Sequence, residues 1–143
     1  MGVALLLITH DEIGRSLLDT AINMMGVSPI PSKNLVITRQ MDIEQGLERA
    51  KQLCSEMAGP DGILIITDIY GSTPSNIATR LQDSIPEQDT IIVTGINLPM
   101  LVRVMNYARL SLPELAKKAC SSAVDSIFII DKSLKCPHNG NKI

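Results

Sequence analysis

Leu5-Leu6-Leu7-Ile8-Thr9-His10-Asp11 is the stretch on which the fold turns. Together with Val3 and Ala4 it forms an aliphatic run, Val3 to Thr9, too short for a stable isolated helix and without polar alternation. That is the pattern of a strand buried on both faces. The run stops at a histidine. Ile63-Leu64-Ile65-Ile66-Thr67-Asp68 repeats the arrangement, and there the polar end carries a carboxylate. If the two runs are neighbouring strands, His10 and Asp68 face each other.

Between and beyond these runs the periodicity is helical. Ile13, Leu17, Ala21 and Met24 recur at helical spacing behind Asp11, the expected N-cap, with Leu18 and Met25 widening the stripe. Gly26, Pro29 and Pro31 supply the stop. Leu35 to Thr38 is a second short strand. Ile43, Leu47, Ala50, Cys54 and Met57 then mark an amphipathic helix, closed by Ala58-Gly59-Pro60-Asp61-Gly62. After Asp68, Pro74 suits a first helical turn with Ser72 or Thr73 as N-cap, and Ile77, Ala78 and Leu81 continue a buried face. Thr90 to Thr94 is a fourth strand, and the following helix turns Leu98, Leu101, Val102 and Met105 inward. Ser111-x-x-Glu114 has the form of a capping box and opens a fifth helix that runs to about Ala123. Ser126 to Ile130 reads as a last strand, and 132–143 as a polar tail.

Strands alternating with helices specify an α/β fold: a doubly wound, mainly parallel sheet with helices on both sides. Right-handed crossovers leave few topologies. The flavodoxin-like order 2-1-3-4, with a fifth strand at the edge, sets strands 1 and 3 side by side at the switch point. One domain is expected over residues 1–131, followed by the tail 132–143.

Composition narrows the function. At 143 residues the chain has the length of about one domain. A net charge of −2 without any Lys/Arg block argues against a nucleic-acid partner, as does the lack of Trp for base stacking. No segment reaches the ~18 apolar residues of a membrane span, and no basic region precedes the first apolar run. A cytoplasmic protein without direct membrane insertion is therefore expected. Cys54, Cys120 and Cys136 are odd in number and widely spaced, which fits free thiols; Cys54 and Cys120 are expected to pack as small hydrophobes. Cys136 and His138 in the tail are too few for a metal site, so neither metal nor cofactor is expected.

Ligands of open α/β sheets bind beyond the carboxyl ends of the strands, where strand order reverses. Both His10 and Asp68 lie at such ends. A carboxylate accepting from one imidazole nitrogen fixes the tautomer, leaves the other nitrogen as a lone pair, and stabilises the positive charge formed when that nitrogen attacks. Gly71, Ser72 and Thr73 lead into the next helix, whose N-terminus is a ready anion site. Gly71 permits close backbone approach, and the two hydroxyls add neutral donors. The pair is therefore read as catalytic and Gly71 to Thr73 as phosphoryl-binding.

Leu6-Leu7-Ile8-Thr9-His10, Thr67-Asp68-Ile69-Tyr70-Gly71-Ser72-Thr73-Pro74-Ser75-Asn76 and Thr94-Gly95-Ile96-Asn97-Leu98-Pro99-Met100-Leu101, in that order, resemble the mannose-family IIA proteins of the bacterial phosphotransferase system (PTS). The resemblance implies a homodimer in which His10 takes a phosphoryl group from the phosphocarrier HPr and passes it to a IIB component, with Asp68 as the partner of the histidine. It also implies that the last strand, Ser126 to Ile130, is antiparallel and exchanged between subunits. The chain departs from the family at Asp11 and Ser72, where glycines are usual, and Asp11 sets an anion beside the site. Two rivals stand against this reading. One is a regulatory or ligand-binding module with the same fold and no transfer. The other is a response-regulator receiver phosphorylated on Asp68, with Asp11 and Glu12 as its acidic pair.

Overall fold

Aliphatic runs pair into a sheet because each must bury two faces and satisfy its backbone at once. In the computed structural model, which describes residues 2–57 and 60–133, this gives β1 (Val3–His10), β2 (Ser32–Ile37), β3 (Gly62–Thr67) and β4 (Thr90–Val93). The order is β2-β1-β3-β4 and every pairing is parallel. Helices α1 (Ile13–Met25), α2 (Ile43–Glu56), α3 (Thr73–Ser84), α4 (Leu98–Asn106) and α5 (Leu112–Asp125) fill the connections. Side chains alternate across β1. Val3, Leu5 and Leu7 pack with residues of α1, α4 and α5, whereas Ala4, Leu6 and Ile8 pack with residues of α2 and α3.

Register matters more than order for the site. Ile8 lies opposite Thr67 of β3, and His10 opposite Ile37 of β2. Asp68, one residue past β3, is thus delivered to the end of β1. The loop after β4 holds it there: the N–H of Gly95 donates to the Asp68 carbonyl at 2.9 Å, and that of Ile96 to the Thr67 carbonyl at 3.1 Å. Gly95 does this at φ 83, a conformation that favours glycine.

Several local expectations are corrected. The inward face of α1 is Gly14, Leu18 and Ala21, while Ile13 and Met24 are 48% and 61% exposed. The cause is the close approach of the helix to the sheet. A Cβ on Gly14 would lie 2.5 Å from both Asn34 Oδ1 and Thr9 Oγ1, so this small residue must face inward. Asp11 does not cap α1. It turns the chain at φ 44 with its N–H on the Ile37 carbonyl, and the N-cap position falls on Glu12, whose side chain makes no capping bond. The Thr9 hydroxyl instead accepts from the Gly14 N–H at 2.9 Å. Ser111 makes no side-chain cap at α5, whereas Asp42 and Gln45 form a reciprocal capping box at α2. Cys54 is partly buried, and desolvation raises its thiol pKa to about 11, but Cys120 is exposed on α5.

No fifth strand forms among the described residues. Ser126 to Ile130 leaves α5 without joining the sheet, which has four strands among the described residues. Ile127, Ile129 and Ile130 are 75%, 76% and 68% exposed. A strand is defined by its ladder, and this segment forms none with the described residues. Cys136 and His138 lie outside the described residues, as does most of the tail expected over 132–143.

Candidate functional site

Beyond the carboxyl ends of β1, β2 and β3 lies an open cleft of about 770 Å³, lined by His10, Asp11, Ile13, Ile37, Thr38, Arg39, Met41, Asp68, Ile69, Thr73 and Ile96. His10 and Asp68, separated by 58 positions in sequence, are joined here twice. Asp68 Oδ2 accepts from the His10 backbone N–H at 2.9 Å and lies 2.8 Å from His10 Nδ1. Its other oxygen, Oδ1, accepts from the Ile69 N–H at 2.8 Å.

The two side chains differ in exposure. That of Asp68 is 9% exposed and that of His10 40% exposed, so the carboxylate is sheltered while the ring faces the cleft. Burial pushes the Asp68 carboxyl pKa up. The backbone and ring hydrogen bonds from His10, the Ile69 N–H and the charge of the ring together outweigh burial and hold it below the usual carboxylate value. An ionised carboxylate only accepts, so the proton between the two belongs to Nδ1, and in the neutral ring the lone pair then lies on Nε2.

The loop before α3 divides differently from the sequence expectation. Thr73 lines the cleft. The hydroxyl of Ser72 donates to the Ile69 carbonyl at 2.6 Å, and its N–H reaches the same oxygen at 3.3 Å, so both Ser72 donors are engaged within the loop. Gly71, at φ 85, borders a separate depression with Tyr70, Asn76 and Arg80. Pro74 has no N–H to offer. The N–H groups of Thr73 and Ser75 have no carbonyl four residues back within α3; Thr73 lines the cleft and Ser75 the depression beside Gly71.

Three residues that shape the cleft were not marked in the sequence. Arg39 lines the cleft two residues past β2, and the switch-point rule applied to β2 as well as to β1 and β3 could have marked it. Gly95 and Ile96 act through backbone bonds to Thr67 and Asp68, which side-chain chemistry does not announce. A second depression, of about 690 Å³, lies at the opposite, amino ends of β1, β3 and β4, and is lined by Gly2, Asp61, Asp89 and Arg109 among others. Among the described residues no group of three His, Cys, Asp or Glu is placed to hold a metal. No helix among them is long and apolar enough to cross a membrane.

The family model described as EIIA-man, PTS system fructose IIA component, matches residues 4–120. The PTS system mannose-specific EIIAB component of Escherichia coli (strain K12) is 24% identical over 112 aligned residues, covering 73% of this chain and 32% of that protein. The chain thus spans about a third of the length of this curated relative. The fold is similar to that of the mannose/sorbose specific IIA subunit of the phosphotransferase system from Enterococcus faecalis, with a TM-score of 0.80 at 20% identity over 92% of this chain and 96% of that one. It is also similar to the PTS IIA protein associated with the fucose utilization operon from Streptococcus pneumoniae, with a TM-score of 0.74 at 22% identity over 90% and 93%.

The lowered Asp68 pKa sets a pH dependence. A carboxyl whose folded-state pKa lies below its unfolded value of about 3.9 contributes stability that is present above that value and lost as pH falls through the lowered one. In unfolding titrations between about pH 6 and pH 2, the wild-type chain is expected to lose more stability than Asp68→Asn. Parallel curves for the two proteins would contradict the assignment of an ionised, hydrogen-bonded Asp68.

Proposed function

The chain belongs to the mannose/fructose EIIA family of PTS IIA components, and on that footing we propose that it is a phosphocarrier that receives a phosphoryl group on Nε2 of His10 and hands it on. The observation that carries this reading is the 2.8 Å contact between His10 Nδ1 and Asp68 Oδ2. With Nδ1 holding its proton, the Nε2 lone pair attacks the phosphorus of a donor phosphohistidine. The new N–P bond forms as the donor's N–P bond breaks, and the donor leaves with its electron pair. The His10 ring becomes cationic without moving a proton, and the carboxylate beside Nδ1 stabilises that charge; hydrogen bonds to charged groups contribute about 1.5–3 kcal/mol. In the second transfer an acceptor nucleophile attacks the same phosphorus, the Nε2–P bond breaks, and neutral His10 is regenerated. Thr73 and the first N–H groups of α3 supply neutral donors to the phosphoryl oxygens.

HPr is the proposed donor and a IIB component the proposed acceptor, in sugar transport or in a regulatory relay. The rival in which Asp68 itself is phosphorylated fits the geometry poorly, because both its oxygens are engaged by His10 and Ile69. The test is incubation with labelled phosphoenolpyruvate, enzyme I and HPr. Wild-type chain should gain label that survives alkali and is lost in acid. His10→Ala should gain none, and Asp68→Asn should fold but take label at least ~10-fold more slowly. Equal labelling of His10→Ala refutes the residue assignment, and an unlabelled wild type favours the regulatory module without transfer.

A homodimer built by exchange of the segment Ser126 to Ile130 is part of the same proposal. It is supported by the exposed isoleucines of that segment and by β4, which among the described residues has a neighbour only on its β3 side. Light scattering should give twice the chain mass of 15.5 kDa for the wild type and the single mass for Ile129→Asp. A monomeric wild type, or a variant that dimerises unchanged, would count against the exchange.

A further inference from the structure

A phosphoryl group on His10 brings a charge of about −2 into a cleft that already contains the carboxylates of Asp11 and Asp68. Asp68 is matched by the ring it binds. Asp11 is exposed, and neither a hydrogen bond to its carboxylate nor an ion pair is formed among the described residues. Neutral donors alone would have to hold a dianion next to a second anion. Among the residues lining the cleft Arg39 is the sole permanent cation.

The placement of Arg39 is built rather than incidental. The Met41 N–H donates to the Thr38 carbonyl at 3.2 Å, closing a turn with Arg39 and Gln40 at its centre and with both end residues also lining the cleft. Upstream, the turn is tied to the site by the bond from the Asp11 N–H to the Ile37 carbonyl at 3.0 Å. Downstream, it is tied by the Asp42–Gln45 capping box of α2. The guanidinium is also uncommitted. Arg15, Lys33, Arg49, Lys51 and Arg80 each pair with a glutamate, whereas Arg39 is exposed and has no ion pair, hydrogen bond or ring contact among the described residues. An exposed, unpaired arginine on an anchored turn beside a nucleophile is free to close on whatever anion arrives there.

We propose that Arg39 is the cationic clamp of the His10 cleft, pairing with the oxygens of the phosphoryl group on Nε2 and offsetting the carboxylate of Asp11. This deepens the phosphocarrier reading and rests on it. Guanidinium recognises phosphoryl oxygens through paired N–H donors, which lysine provides only as a point charge. Arg39 would thereby supply locally what the uncharged loop before α3 lacks.

The test uses phosphoramidate, a small donor that needs no partner protein; its P–N bond breaks, ammonia leaves, and the phosphoryl group passes to Nε2. Phosphorylation is followed by intact mass for wild type, Arg39→Gln, Arg39→Lys and His10→Ala over a range of salt concentrations. The expected result is labelling that depends on His10, about tenfold slower in Arg39→Gln, with partial recovery in Arg39→Lys and a weaker salt dependence once the charge is gone. Equal rates and equal salt dependence for wild type and Arg39→Gln overturn the clamp while leaving the phosphocarrier reading intact. A rate that falls only when phospho-HPr is the donor also overturns it, since Arg39 would then act on the partner protein. Wild type that takes no phosphoryl group on His10 from either donor overturns both.

Discussion

One carboxylate oxygen carries the organisation of the site. Asp68 Oδ2 accepts from both the backbone N–H and Nδ1 of His10, at 2.9 and 2.8 Å, so it fixes the end of β1 and the orientation of the ring together. That double acceptance demands that β3 lie beside β1 in parallel, with Ile8 opposite Thr67. It also demands that the residue after β3 be held down, which the Gly95 and Ile96 N–H groups do from the neighbouring loop. The switch-point order thus decides which atom of His10 is free.

The electrostatics of the cleft follow from the same arrangement. A sheltered carboxylate is kept ionised by the donors around it, against the cost of its own burial. It matches a cation on the ring but adds to the negative field that the proposed phosphoryl group would enter. Asp11, at φ 44 where glycine is at ease, adds more. Helix dipole and hydroxyls alone balance this poorly, which gives physical weight to an arginine on the turn after β2.

Elements built on one-dimensional patterns were legible in the sequence. Four aliphatic runs became four strands, their order followed from crossover chemistry, and the meeting of His10 with Asp68 followed from that order. Rotation and capping were not legible. The spacing of Ile13, Leu17, Ala21 and Met24 is helical whichever side faces in, and only the contact of Gly14 with Thr9 and Asn34 chooses. The motif at Ser111 to Glu114 has the right letters without the bond, while Asp42 and Gln45 make the bond and were passed over. Ser126 to Ile130 has strand composition and no ladder, because pairing belongs to two segments and composition to one. Arg39 carries no motif of its own; its position just past β2 is the one sequence signal for it, and the cleft shows its company.

The central claim is that Asp68 holds the proton on Nδ1 so that Nε2 does the chemistry. Nitrogen-15 NMR of chain labelled at histidine reads this directly, since protonated, bare and phosphorylated ring nitrogens have separate shifts. The account predicts a resting His10 with the proton on Nδ1 and a phospho-form with phosphorus bonded to Nε2. A resting proton on Nε2, or phosphorus on Nδ1, would contradict it.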